Sequence, residues 1–245
     1  DPVDGEPGSL NGSFNGFGSD CDGNSQGGIA CGSFDWSEVG IISLVPELAS
    51  GSYLGSGDVV GNASGNVGRF IPDHFVLSDG ELINRAGVAG CTSDFTYIGE
   101  RFDTRFTLTA QAAGGGTTMN YEGAYAFLDS GELNLSGDPA LSVTAPDIAW
   151  MMGSGTATAE LSVARSAPDG PFIDYAVTTA PADDDGVSLQ TAPQEIGTTD
   201  LYFGRAVVDS AIGSELGPRE LPWTIQRWED GTWMTHAADN CTLID

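Results

Sequence analysis

Residues 94–111 read DFTYIGERFDTRFTLTAQ, and they decide the fold. Apolar and polar side chains alternate through DFTYIGE (94–100) and again through RFTLTAQ (105–111). Successive side chains of a strand face opposite ways, so a period of two directs Phe95, Tyr97, Phe106 and Leu108 inward. The few residues between the two runs predict a hairpin. Outward from this pair, FVLS (75–78), GAYAFLD (123–129), LSVTAPD (141–147) and TATAELSVAR (156–165) read as further strands. So do DYAVTTA (174–180), DLYFGRAVVDS (200–210), LPWTIQRWEDG (221–231) and TWMTHA (232–237). Turn residues recur about every 8 to 15 positions, the rhythm of an antiparallel sandwich. Only APDIAWMMG (145–153) is compatible with a helical turn.

The segment before this core has a different composition. Residues 1–33 are rich in Gly, Asp, Asn and Ser and carry few apolar anchors, which predicts an irregular segment or linker. SEVGIISLVPEL (37–48) has an apolar centre closed by Pro46 and reads as a strand, and a short strand is expected before GNASGNVGRF (61–70). A boundary is expected near residue 168. The expected organisation is a Gly/Asp-rich segment (1–33), an Ig-like β-sandwich with leading strands (34–168), and a second β-sandwich or β-rich domain (169–245). The fold class is therefore all-β, with antiparallel Ig-like β-sandwiches, two in tandem. A start at DPVDGEPG with no leader-type apolar stretch leads us to expect a mature or excised piece of a longer protein.

Charge sets the outer limits on function. Asp and Glu number 35 against 8 cationic residues, all of them Arg, for a net charge of -27. Neutralising phosphates takes clustered Lys and Arg, so nucleic-acid binding is excluded, and docking on an anionic membrane is disfavoured. No apolar run approaches the roughly 20 residues of a membrane-spanning helix, so no direct membrane insertion is expected. Salt screens such an acidic surface, and bound divalent cations relieve it locally. Hydrophobic residues still make up 40%, enough for one large core or two moderate ones.

Four cysteines allow three pairings. Cys21 and Cys31 bracket a Gly-rich decapeptide and could close a small loop, in which case Cys91 and Cys241 would staple the middle of the chain to its end. In the chain-entropy model the long loop contributes about 4 to 5 kcal/mol and the short one about 2 to 3. A zinc site fails on spacing, because there is no CxxC and His74 and His236 lie far apart. Two disulfides and an oxidising compartment are expected.

Several segments in order carry a resemblance: NVGRFIPDHFVLS (66–78), FTYIGERFDTRFTLTAQAAGGGTTMNYEGAYA (95–126), DDDGV (183–187), LYFGRAVVDSAIGSEL (201–216) and ADNCT (238–242). Together they resemble the C-terminal region of bacterial MshQ-like proteins, associated with the mannose-sensitive haemagglutinin pilus, a domain of unknown function. FTLTAQAAGGGTTMNYEGAYAF followed by GTATAELSV is also similar to the Ig-like domains of bacterial surface adhesins. The resemblance implies a surface-exposed, pilus-associated or adhesin-like protein with no established catalytic residues. It also implies that Cys91 pairs with Cys241.

The candidate sites are few. Asp183, Asp184 and Asp185 form the densest acidic point, and a turn can gather carboxylates and carbonyls around Ca2+. A solvated acidic loop in which they point apart is the competing reading. Asp20, Asp22 and Asn24 begin like a calcium loop, but the bidentate Glu of that motif is replaced by Cys31. Trp228 and Trp233 flank the EDG turn (229–231) and are the candidate exposed pair for stacking on a sugar; core packing is the competing role. No G-x-S-x-G precedes a helix, and no enzyme is expected. The expected function is an extracellular structural or adhesive module of a pilus- or filament-associated bacterial surface protein. Its partners would be neighbouring copies, other surface proteins or glycans. The alternative is a calcium-dependent carbohydrate-binding module.

Overall fold

The computed structural model describes residues 5–17, 30–52, 54–55, 57–214, 217–218 and 220–242. Seventeen strands and two single-turn 3-10 helices make up its regular structure among these residues, so the chain is all-β. It divides into two compact units, one of residues 1–76, 109–127 and 150–154, the other of 77–108, 128–149 and 155–245.

The first unit is built from short antiparallel pairs. β1 (Leu10–Phe17) pairs with β2 (Ala30–Trp36), β3 (Gly40–Ile42) with β6 (Val67–Phe70), and β4 (Glu47–Ser52) with β5 (Asp58–Val60). The described part of the N-terminal segment is therefore a hairpin strand pair rather than an irregular loop. Its backbone ladder forms without a buried face, which is why the sequence gives no period-two signal there. Phe14 and Phe34 meet edge to face, ring centroids 5.2 Å apart, and both stay exposed. The expected strand over 37–48 is split, with β3 at its centre and the start of β4 at its end, and the expected short strand before residue 61 is β5. The unit's aromatic centre is Phe75, Tyr121 and Trp150, with ring centroids 4.8 to 5.7 Å apart. Buried Glu38 accepts from the backbone N–H groups of Met119 and Asn120, each at 3.0 Å.

β7 (His74–Ile83) to β17 lie wholly or mostly in the second unit. One four-stranded sheet runs β11 (Leu141–Met151), β12 (Ser154–Val163), β9 (Phe102–Gln111), β7. The other runs β10 (Leu135–Ser136), β13 (Phe172–Thr179), β14 (Gln194–Tyr202), β8 (Phe95–Tyr97). A three-stranded sheet, β15 (Gly204–Val208), β16 (Trp223–Glu229) and β17 (Thr232–Thr235), follows. Alternation places Phe102, Phe106, Leu108, Ala157, Leu161, Val177 and Leu201 in the core. Phe95, Tyr97, Phe106 and Leu108 are all buried, as their spacing predicts. Each large apolar side chain taken from water is worth about 1.5 to 3 kcal/mol. A one-residue slip of β9 would turn its whole apolar set to solvent, so the register is strongly specified. Gly80 shows how closely β7 and β14 approach, since a Cβ there would strike the carbonyl oxygen of Ile196.

The structure differs from four expectations. The runs at 94–100 and 105–111 do not form a hairpin. β8 pairs in parallel with β14, and β9 belongs to the other sheet. The reason lies between them: the Ile98 N–H bonds to the Tyr202 carbonyl in one sheet and the Gly99 N–H to the Val163 carbonyl in the other. Gly99, at φ +92°, lets the chain arch from sheet to sheet. Residues 123–129 are no strand. They hold a 3-10 turn over Gly123–Tyr125, and a second over Ser130–Glu132 is closed by an Asp129–Glu132 capping box. The stretch 145–153 is not a helical turn, since it continues β11 to Met151 and then turns into β12. The boundary expected near residue 168 falls inside the second unit, where β10 and β13, on either side of it, pair.

Candidate binding sites

The densest polar cluster of the second unit surrounds Arg85. This guanidinium is 1% exposed and held by both oxygens of Glu100, at 3.0 and 3.2 Å, by Asp239 Oδ1 at 3.0 Å and by Thr242 Oγ1 at 2.8 Å. Burial opposes its charge, yet hydrogen bonds and attraction from Glu100 and Asp239 outweigh this and raise its pKa. Asp239 accepts in addition from the N–H groups of Cys241 and Thr242 and from the hydroxyls of Thr242 and Tyr97. Burial would raise the pKa of this carboxyl, but the donors of Thr242, Cys241 and Tyr97 hold it well below the usual carboxylate range. Asp239 sits next but one to Cys241, which is disulfide-bonded to Cys91 across 150 residues. The segment 239–242 is thus fastened by a covalent bond and by an ion-pair network at the same place.

Proton bookkeeping extends the network to His236. Tyr97 has one hydroxyl proton and gives it to Asp239 Oδ2 at 2.9 Å. His236 Nδ1, 2.6 Å from the Tyr97 hydroxyl oxygen, must therefore be the donor in that contact. Its Nε2 then carries the lone pair and has no hydrogen-bond partner among the described residues. The ring packs among Phe95, Tyr97 and Tyr202, with centroids 4.4 to 5.4 Å away. Burial, then Arg227, pushes the imidazole pKa below its ordinary value, with Asp239 pulling the other way. For the same reasons Tyr97 is held protonated, by burial first and then by Asp239.

Trp228 and Trp233 lie opposite each other on β16 and β17, ring centroids 5.3 Å apart. Both are half-buried. Arg205 Cζ sits 3.9 Å from the Trp233 ring centroid, and Trp233 neighbours Phe203, over which Arg165 Cζ sits at 3.9 Å. One side of the pair is therefore a stack of alternating cations and rings. Arg165 and Arg205 also border a recess of about 380 Å³ walled by Tyr97, Ile98, Glu100 and Ile225.

The first unit holds a larger recess, about 920 Å³, where Phe34, Trp36 and Phe70 stand with Asn11, Asp35 and Asp73. Trp36 and Phe70 are 6.4 Å apart and tilted. His74, beside it in sequence, is buried with Nδ1 2.8 Å from Asp73 Oδ2.

Asp183 does not face outward with its neighbours. Its Oδ1 accepts from the N–H groups of Asp185 (3.0 Å) and Val187 (2.8 Å) and closes the DDDGV turn. Asp184 and Asp185 are exposed. Among the described residues no group of three or more His, Cys, Asp or Glu could hold a metal ion. Asp20, Asp22, Asn24 and Cys21 lie outside the described residues; Cys31 is disulfide-bonded. Sequence reasoning missed Arg85, His236 and Asp239 as one unit. The available signal was Asp239–Thr242, DNCT, where an Asp two and three residues before a Cys and a Thr is the pattern of a side chain capping its own turn.

No helix among the described residues is long and apolar enough to cross a membrane. A family model described as the third domain of DUF6701 matches residues 38–200, and one described as the fourth domain matches residues 202–245. No curated protein and no solved structure matches. The disulfide and the Arg85–Asp239 pair each join a residue of the third-domain match to one of the fourth.

Proposed function

The chain belongs to the DUF6701 family, and on that premise we propose that it is a non-catalytic structural or adhesive module of an extracellular, pilus- or filament-associated bacterial surface protein of the MshQ-like kind. The observation that carries this reading is the doubly fastened segment 239–242. A disulfide spanning 150 residues stands beside a buried Arg–carboxylate network. Disulfides persist in oxidising compartments, and a cross-link that keeps two matched domains together suits a part that bears load. The acidic coat, 35 carboxylates against 8 arginines, favours a protein that stays soluble outside the cell. Its partners on this reading are neighbouring copies or other surface proteins. Antibody labelling of intact, unpermeabilised cells of the native source tests it. Label on the surface or on filaments is expected; label seen only after permeabilisation refutes it.

A second reading, a carbohydrate-binding module using calcium, is favoured by the aromatic and carboxylate recess of the first unit. Glycan binding that depends on Trp36 and on calcium would support it; binding indifferent to W36A would remove it.

A further inference from the structure

We propose that the recess bordered by Arg165 and Arg205 is a binding site for a sugar carboxylate, a hexuronic acid unit of an acidic glycan. This chain has more than four carboxylates for every cation, so two neighbouring arginines that share one recess without an ion pair stand out. Arg85, Arg101 and Arg227 each have a carboxylate within ion-pair distance. Arg165 and Arg205 have none among the described residues, and both line the same recess.

Their positions are fixed without using up their charge. Each guanidinium carbon lies 3.9 Å from an aromatic centroid, Phe203 for Arg165 and Trp233 for Arg205. A guanidinium held by its face keeps in-plane N–H groups for a carboxylate. Arg165 spends Nη2 on the Gly204 carbonyl, and Arg205 spends Nε and Nη2 on Gln226. Nη1 of each has no hydrogen-bond partner among the described residues. The one carboxylate on the wall, Glu100, is already held by Arg85. Beyond about 8 Å the repulsion from the rest of the acidic surface is screened at physiological salt.

The size and lining select a ring-sized ligand. The volume, about 380 Å³, is that of a small-molecule pocket. Ile98 and Ile225 offer an apolar wall and the two guanidinium groups a polar edge, which suits a pyranose with one apolar face and polar edges. The inference gives the proposed adhesive role a ligand class and rests on that reading. It is tested on purified protein, so its failure is separate from a failure of surface labelling.

The test is calorimetric titration of the disulfide-intact chain with trigalacturonate, with its methyl ester and with a short poly-glutamate peptide. Trigalacturonate is expected to bind saturably and to weaken severalfold between about 50 and about 300 mM salt. The ester is expected to bind at least about tenfold more weakly, since a charge-assisted pair is roughly twice as strong as a neutral one. R165Q/R205Q is expected to lose at least about tenfold in affinity. If that double variant melts lower, R165Q alone carries the test, because Arg165 is exposed and makes no ion pair among the described residues. Equal binding of acid and ester, no binding of either, undiminished binding by the variants, or equal binding of poly-glutamate each overturns the proposal.

Discussion

Replacing Arg85 with Met asks whether the buried network holds the chain end. Met fills much of the space of the arginine stem but offers no donor. Glu100 is 33% exposed and can rehydrate once its partner is gone. Asp239 cannot, since its side chain is 1% exposed. Breaking a buried pair by removing one partner costs about 3 to 5 kcal/mol. Asp239 keeps the donors of Cys241, Thr242 and Tyr97, which places the loss near the lower end, about 3 kcal/mol. At roughly 2 to 4 °C per kcal/mol for a domain this size, the midpoint should fall by about 6 to 12 °C. The loss should also depend on pH. The folded pKa of Asp239 is depressed, so its contribution is present above the unfolded value and lost as pH falls through the folded one. Once Asp239 is protonated there is no charge left for Arg85 to compensate, so wild type and R85M should converge in strong acid. Chemical denaturation of both proteins under non-reducing conditions, at neutral and at acid pH, measures this. A neutral-pH loss below about 1 kcal/mol would refute the reasoning, as would a gap that widens in acid.

C91S/C241S should lose about 4 to 5 kcal/mol in the chain-entropy model, and hydrogen exchange should speed up over 236–242; unchanged exchange there would show that the network alone holds the end. His236 titrates below its ordinary value, so the unfolded chain binds more protons and stability should fall as pH drops below about 6.5. H236Q should flatten that slope, which is at most about 1.4 kcal/mol per pH unit; an unaltered urea midpoint profile from neutral to mildly acid pH would contradict the assignment. D183A leaves two N–H groups of the DDDGV turn without their acceptor and should cost about 1 to 2 kcal/mol with calcium or with chelator. A wild-type midpoint that falls on chelation, and does so no longer in D183A, would instead make the turn a cation site.

The β character of the chain was legible because buried strands must alternate, and β9 and β12 do so along their length. Pairing was not legible. β8 joins β14 more than a hundred residues away, and nothing in DFTYIGE marks the arch at Gly99 except a glycine. GAYAFLD resembles a strand in its apolar content, yet local bonds decide it: the Phe127 N–H bonds to the Tyr121 hydroxyl and Asp129 caps the following turn. The Trp228–Trp233 pairing could be read from the EDG turn, since a tight hairpin fixes which residues stand opposite. That Arg205 lies over Trp233 could not, because it comes from β15, whose place beside β16 is a tertiary fact. Arg85 carries no sequence signal at all. It is one charged residue among small and apolar neighbours, and only its carboxylate partners, one of them 154 residues on, explain it.

The proposed surface role and the covalent bond between Cys91 and Cys241 can be tested together. Mass spectrometry of peptides shaved by protease from intact cells of the native source, alkylated and left unreduced, tests them most directly. The predicted result is a released peptide pair joined through Cys91 and Cys241. Alkylated Cys91 and Cys241, found only after the cells are lysed, would contradict it.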